Sequence, residues 1–194
     1  MFGDVGGASK VNDTTKFGIT ENSDGSVTLL ANGAGKISAK AGDGIVFYGL
    51  QIAKDKNFTF KAKATLLTTT SNNQVSFGLM LRDDLYIDSF LGSVITGDYV
   101  ATGMVNNATT PSTAIFSKTS GALSKEVDAP SVPSLGESFS LSISRIDDVV
   151  TCTYGALTYS YNEKNLTAIE ASYDYVGCFL ARAAQVSYSE ISFA

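Results

Sequence analysis

The residues best equipped for chemistry stand together in QVSFGLMLRDDLYID, Gln74 to Asp88, where Arg82, Asp83, Asp84, Tyr86 and Asp88 concentrate charge and aromatic hydrogen-bonding capacity. A second arginine, Arg182, closes a related phrase within YVGCFLARAAQVSY, Tyr175 to Tyr188. Three roles stay open for these groups. Clustered carboxylates suit calcium, which takes about six to eight oxygen ligands; Asp83 and Asp88 are the candidate metal ligands, with Asp84 and Asp98 nearby, although the spacing is not that of an EF-hand. A sugar offers an apolar C–H face and a polar hydroxyl rim, so it is held by aromatic platforms and planar hydrogen bonders. Arg82, Asp84, Tyr86, Tyr99, Arg182 and Tyr48 are the candidate ligand contacts of that kind. The third role is structural: Asp83 or Asp84 pairs with Arg82 or Arg182 at a sheet edge and pins the loop. Lys61 and Lys63, on one strand face, suit an acidic polysaccharide or a merely solvated surface.

Catalysis is not expected. The chain has no histidine, which removes the most common acid–base group, the usual zinc ligand and the base of a serine or cysteine triad. Cys152 has no basic partner along its strand to activate it. Glycoside hydrolysis needs two carboxylates flanking a sugar ring, whereas neighbouring Asp83 and Asp84 point to opposite sides of an extended backbone. A lyase site built from Tyr86 as base and Arg82 as uronate clamp is the remaining enzymatic alternative.

With 194 residues, 44% of them hydrophobic, the chain is long enough to bury one large core. We expect a leading arm or linker at residues 1–15 and a single domain at 16–194. The formal charge of −5 argues against nucleic acid and anionic membranes, which reward clustered Lys and Arg. No run approaches the roughly 20 apolar residues of a membrane span. Met1 is followed by FGDVGGASK rather than by a basic and then apolar leader, so it reads as an added start. Cys152 and Cys178 sit in alternating apolar runs and are expected as buried free thiols rather than a disulfide.

The elements that must position these groups are strands. Val75, Phe77, Leu79 and Leu81 alternate with Ser76, Gly78, Met80 and Arg82, the period-two pattern of a strand. Val46, Tyr48, Leu50 and Ile52 alternate with Ile45, Phe47 and Gly49, so that strand is expected to be buried on both faces. From Asn57 to Leu66, phenylalanines and alanines alternate with Thr and Lys, predicting one wet face. Asn22–Gly25 and Asn32–Gly33 predict two tight hairpins. Residues 124–136 predict a crossover loop between sheets. Asp147–Asp148 predicts a further hairpin turn, residues 165–172 one helical turn, and the mixed register of Ala184 to Phe193 a bulge. The fold class is all-β, an antiparallel β-sandwich or jelly roll.

DGIVFYGLQIAKDKNFTFKAKA, QVSFGLMLRDDLYID, GDYVATG and YVGCFLARAAQVSYSEISF together resemble the β-sandwich modules found beside bacterial pectate lyases, in the concanavalin A-like lectin and glucanase superfamily. The resemblance implies a noncatalytic carbohydrate-binding module of a secreted or cell-surface protein, joined to catalytic or dockerin-like modules. Its target would be a plant polysaccharide such as pectin, and it would need no cofactor beyond calcium. The alternative reading is a structural or adhesive spacer without a sugar site.

Overall fold

The computed structural model describes residues 2–3, 17–32, 35–37, 43–69, 75–85, 87–88, 94–95, 97–107, 110–162 and 172–194. The strands are β1 (Phe2–Gly3), β2 (Phe17–Glu21), β3 (Val27–Ala31), β4 (Val46–Ala53), β5 (Phe58–Thr69), β6 (Ser76–Arg82), β7 (Ile87–Asp88), β8 (Val94–Ile95), β9 (Tyr99–Asn107), β10 (Thr110–Thr119), β11 (Ala122–Asp128), β12 (Ser138–Ile146), β13 (Val149–Tyr154), β14 (Leu157–Asn162), β15 (Tyr173–Ala181) and β16 (Ala184–Phe193). They form a first sheet ordered β1-β4-β15-β6-β9-β10-β11, a second ordered β14-β13-β12-β5-β16-β3-β2, and a small β7-β8 pair. All pairings are antiparallel. The architecture is the predicted all-β sandwich.

Alternation decides which side chains meet between the sheets. Phe58, Phe60, Ala62, Ala64 and Leu66 of β5 join Val75, Phe77, Leu79 and Leu81 around β6 in the main core, with Val46, Tyr48 and Ile52 of β4. The other faces of β4 and β6 are also buried, because Ile45, Phe47, Met80, Ala101, Phe116 and Phe179 form a second apolar cluster outside the sandwich interior. The centre of the first sheet, from β4 to β10, thus carries buried residues on both sides, while the second alternates core residues with Ser, Thr and Lys.

Tyr188 crosses the core from the second sheet to the first. Its hydroxyl accepts a bond from the Gly78 N–H at 3.0 Å and donates to the Phe179 carbonyl at 2.6 Å, taking the place of a ladder contact between the facing residues Gly78 and Phe179. Gly78 also faces Gly103 on β9. Both have large positive φ, 151° and 147°, and a Cβ on either would lie 2.1 Å from the facing strand's carbonyl oxygen. Only glycine fits there.

Several expectations need correction. The Asn32–Gly33 hairpin does not form, because β3 already has β2 on one edge and β16 on the other; the β2–β3 hairpin does form, with Gly25 at φ 82°. Residues 122–128 are strand β11, so the crossover between sheets is shorter than predicted and follows Asp128. Arg82 and Arg182 lie at opposite ends of the antiparallel β6–β15 pair, in which Arg82 faces Tyr175 and Ser76 faces Ala181. The predicted helical turn lies largely outside the described residues, as does most of the leading arm, of which Phe2–Gly3 pairs with β4. Cys152 and Cys178 are free and fully buried, and burial pushes both thiols up.

Candidate functional site

Lys118, Tyr99 and Arg82 fall in register across β10, β9 and β6, so their side chains form one cross-strand row. Arg82 and Lys118 both approach the Tyr99 ring, at 4.7 and 5.9 Å from its centroid. Asp43, just before β4, sits between the two cations: its carboxylate is 3.3 Å from an Arg82 guanidinium nitrogen and 3.4 Å from Lys118 Nζ. Arg82 also donates through Nε to the Asp84 carbonyl at 3.2 Å. All four side chains are buried, Arg82 and Asp43 completely. Burial lowers the Lys118 ammonium against the opposing pull of Asp43. It also raises the Tyr99 hydroxyl well above its usual range.

The next residue along builds a second contact. Asp83 Oδ1 accepts the Asp98 N–H at 2.8 Å, the Asp83 N–H donates to the Asp98 carbonyl, and Asp98 Oδ1 accepts the Ser120 N–H. The end of β6 is thereby tied to the start of β9 and to the β10–β11 turn. Asp83 Oδ2 is buried without a hydrogen-bond partner. Burial pushes its carboxyl up to about 6, the Asp98 N–H opposing and the Asp98 charge reinforcing the shift.

Of the expected ligand contacts, the structure therefore brings Arg82 and Tyr99 together and sets the Asp84 backbone beside them, in a buried cluster rather than on an open surface. Tyr48 points elsewhere, its hydroxyl donating to Glu21 Oε1 at 2.7 Å and pushed up to about 12 by burial and that carboxylate. Arg182, half-buried with φ 69°, lies at the far end of β15. Tyr86 and the side chain of Asp88 lie outside the described residues. Among the described residues no group of three or more Asp, Glu, Cys or His side chains is placed to hold a metal ion. Asp43 and Lys118 were missed because nothing in local spacing ties them to Arg82; only strand register does.

The open surface is on the other sheet. The outward side chains of β13, β12, β5 and β16 border a groove of about 290 Å³, with Lys61, Lys63, Ser140, Ser142, Thr153 and Glu190 around it. Register aligns Thr158, Thr153, Ser142, Lys61 and Ser192 in one row across five strands. Thr151 with Ser160 and Thr65 with Ser138 add cross-strand hydroxyl pairs on the same sheet.

The sheet order and pairing define the class: a jelly-roll sandwich of the concanavalin A-like type. The same fold occurs in the carbohydrate-binding module CBM66 from Bacillus subtilis, with a TM-score of 0.51 and 11% identity over 98% of this chain and 96% of that one. It occurs also in a xylan β-1,4-xylosidase from Bacillus halodurans C-125, with a TM-score of 0.61 and 11% identity over 94% of this chain and 35% of the xylosidase. In sequence, the chain is 35% identical over 175 residues to pectate lyase L of Thermoclostridium stercorarium, a match that covers 89% of this chain and 13% of that protein. The chain thus resembles one segment of a much longer bacterial pectate lyase. No protein-family model matches it.

Proposed function

We propose that the chain is a noncatalytic carbohydrate-binding module of an extracellular, multimodular bacterial protein that degrades plant polysaccharide, and that it binds pectin. The observation that carries this reading is the match to 13% of a pectate lyase by a chain with the sandwich fold of a carbohydrate-binding module. A module of this kind raises the local concentration of polymer around the attached enzyme, a gain that comes from tethering rather than from chemistry. The burial of Arg82 beside Asp43 counts against a lyase site at that arginine, since a guanidinium without exposed surface has no face for a uronate. The same burial favours the spacer reading as the second alternative.

The test is affinity electrophoresis and calorimetry of the folded chain against pectin, polygalacturonate, xylan and a neutral glucan, with calcium and with chelator. Retardation by pectin or polygalacturonate is expected, without release of unsaturated product absorbing in the ultraviolet. Chelator sensitivity would assign the aspartates to calcium. Migration unchanged by every polymer would leave the spacer reading in its place.

A further inference from the structure

The outward face of the second sheet carries a departure from regular strand geometry. On β16, Ser189 faces Lys63 and Ser192 faces Lys61, so three residue steps on β16 span two on β5. This is the predicted bulge, and its extra residue re-aims the chain. Glu190 takes φ 51°, the left-handed region, which is strained for a residue with a Cβ. The bulge reverses the alternation, so Val186 and Tyr188 but also Ile191 and Phe193 turn to the core. Glu190 is left outward, its Oε1 2.6 Å from Lys63 Nζ. Both groups are well exposed, 66% and 41%, so the pair itself contributes little to stability. The left-handed turn at Glu190 thus brings Ile191 and Phe193 to the core and leaves its carboxylate on the open face beside Lys63.

We propose that this groove is the ligand site, that its ligand is an anionic polysaccharide, and that Glu190 occupies the place of a sugar carboxylate until the polymer displaces it; this rests on the carbohydrate-binding reading above. Three features of the face fit that chemistry. Lys61 and Lys63 alternate on one strand, which sets them about 7 Å apart along an extended chain, two ammonium groups on one side for a polymer with repeating carboxylates. Around them stand Ser140, Ser142, Thr153 and Ser192, small hydroxyls that both donate and accept and so match a sugar's hydroxyl rim. Among the described residues no aromatic side chain borders the groove, so these residues give a neutral sugar no platform and charge must carry recognition. On the first sheet, the outer face of β4, β15, β6, β9 and β10 is covered where the second apolar cluster lies. The chain's net charge of −5 repels a polyanion at long range, which makes the local lysines decisive and the binding salt-sensitive.

The test uses affinity electrophoresis of the whole chain in gels containing sodium polygalacturonate, its fully methyl-esterified form or a neutral glucan. Lys61→Ala/Lys63→Ala is expected to weaken polygalacturonate binding at least about tenfold, and Glu190→Gln to strengthen it about threefold, as charge-assisted contacts are lost or gained. Circular dichroism melts of both variants should match the parent, since all three side chains are exposed. Equal retardation by the esterified polymer would overturn the anionic ligand while leaving carbohydrate binding intact. Full polygalacturonate binding by the double lysine variant would overturn the site. Migration unaffected by any of the polymers would overturn the carbohydrate-binding reading, and this inference with it.

Discussion

At Asp83 the chain buries a carboxylate with one oxygen bonded to the Asp98 N–H and the other bare. Its acidity follows from that asymmetry: burial raises the carboxyl from 3.8 to about 6, the charges of Asp98 and Asp84 adding to it and Arg82 opposing. A folded value above the unfolded one means the folded state binds the extra proton. The stability linked to Asp83 is therefore full below about pH 4 and is lost as pH rises through about 6. Asp83→Asn keeps an oxygen for the Asp98 N–H but does not titrate. In urea unfolding at pH 8 and at pH 4, the parent should gain on the variant by about 2 kcal/mol as the pH falls. Stability curves for the two proteins that run parallel across this range would show that Asp83 is not buried as an anion. The charge of this run is legible in the sequence, and its long-range partners are not. Arg82 pairs with Asp43, a residue 39 positions away, while its neighbour Asp83 faces Asp98; in an extended chain adjacent side chains diverge, so nearness in sequence was a poor guide to contact.

The strands themselves were largely legible, because a period of two is a direct signature of a sheet with a buried face. Alternation located both faces of β4 and β6, and its failure in β16 located the bulge. What alternation cannot give is strand order, and that is where expectations failed: the Asn32–Gly33 turn has hairpin chemistry, but β3 had no free edge. The hydroxyl groove was hidden for the same reason, since it draws on four strands from separate parts of the chain. Tyr188 is a test of how far a strand depends on its neighbours across the core. Its ring fills core volume, and its hydroxyl completes the Gly78–Phe179 contact in the opposite sheet. Tyr188→Phe keeps the ring and strips partners from a buried N–H and a buried carbonyl, at a cost of about 3 kcal/mol. Guanidinium unfolding should show a lower midpoint at unchanged slope. A loss below about 0.5 kcal/mol would mean that β6 and β15 re-form a direct ladder bond there.

For the molecule as a whole, the two sheets differ in what their outer faces do. The first is packed on both sides through its central strands and carries the buried ionic cluster; the second is core on one side and an open hydroxyl and lysine surface on the other. An open face of that kind is useful only if the sheet beneath it keeps its place against the other. Besides the apolar core and the hydroxyl of Tyr188, a buried ion pair ties them: Arg145 of β12, in the second sheet, donates to Asp174 of β15, in the first. The same guanidinium donates to the carbonyls of Lys56 and Ala53 and lies over the Phe58 ring, so from the second sheet its donors reach β4 and β15 of the first sheet and the β4–β5 turn. Burial raises the Asp174 carboxyl even with Arg145 opposing it. Arg145→Met fills the space but leaves that carboxylate alone, and at neutral pH should cost about 3–5 kcal/mol. Removing the arginine raises the folded pKa of Asp174 further, so the variant recovers part of the loss as the pH falls and the carboxyl takes up a proton. Arg145→Met/Asp174→Asn should likewise be more stable at pH 7 than Arg145→Met alone, because no charge is then stranded. Thermal melts of the three proteins at pH 7 and pH 4.5 separate this from simple loss of packing: a packing defect would lower all midpoints equally at both pH values, whereas a stranded carboxylate penalises the single variant, and chiefly at pH 7.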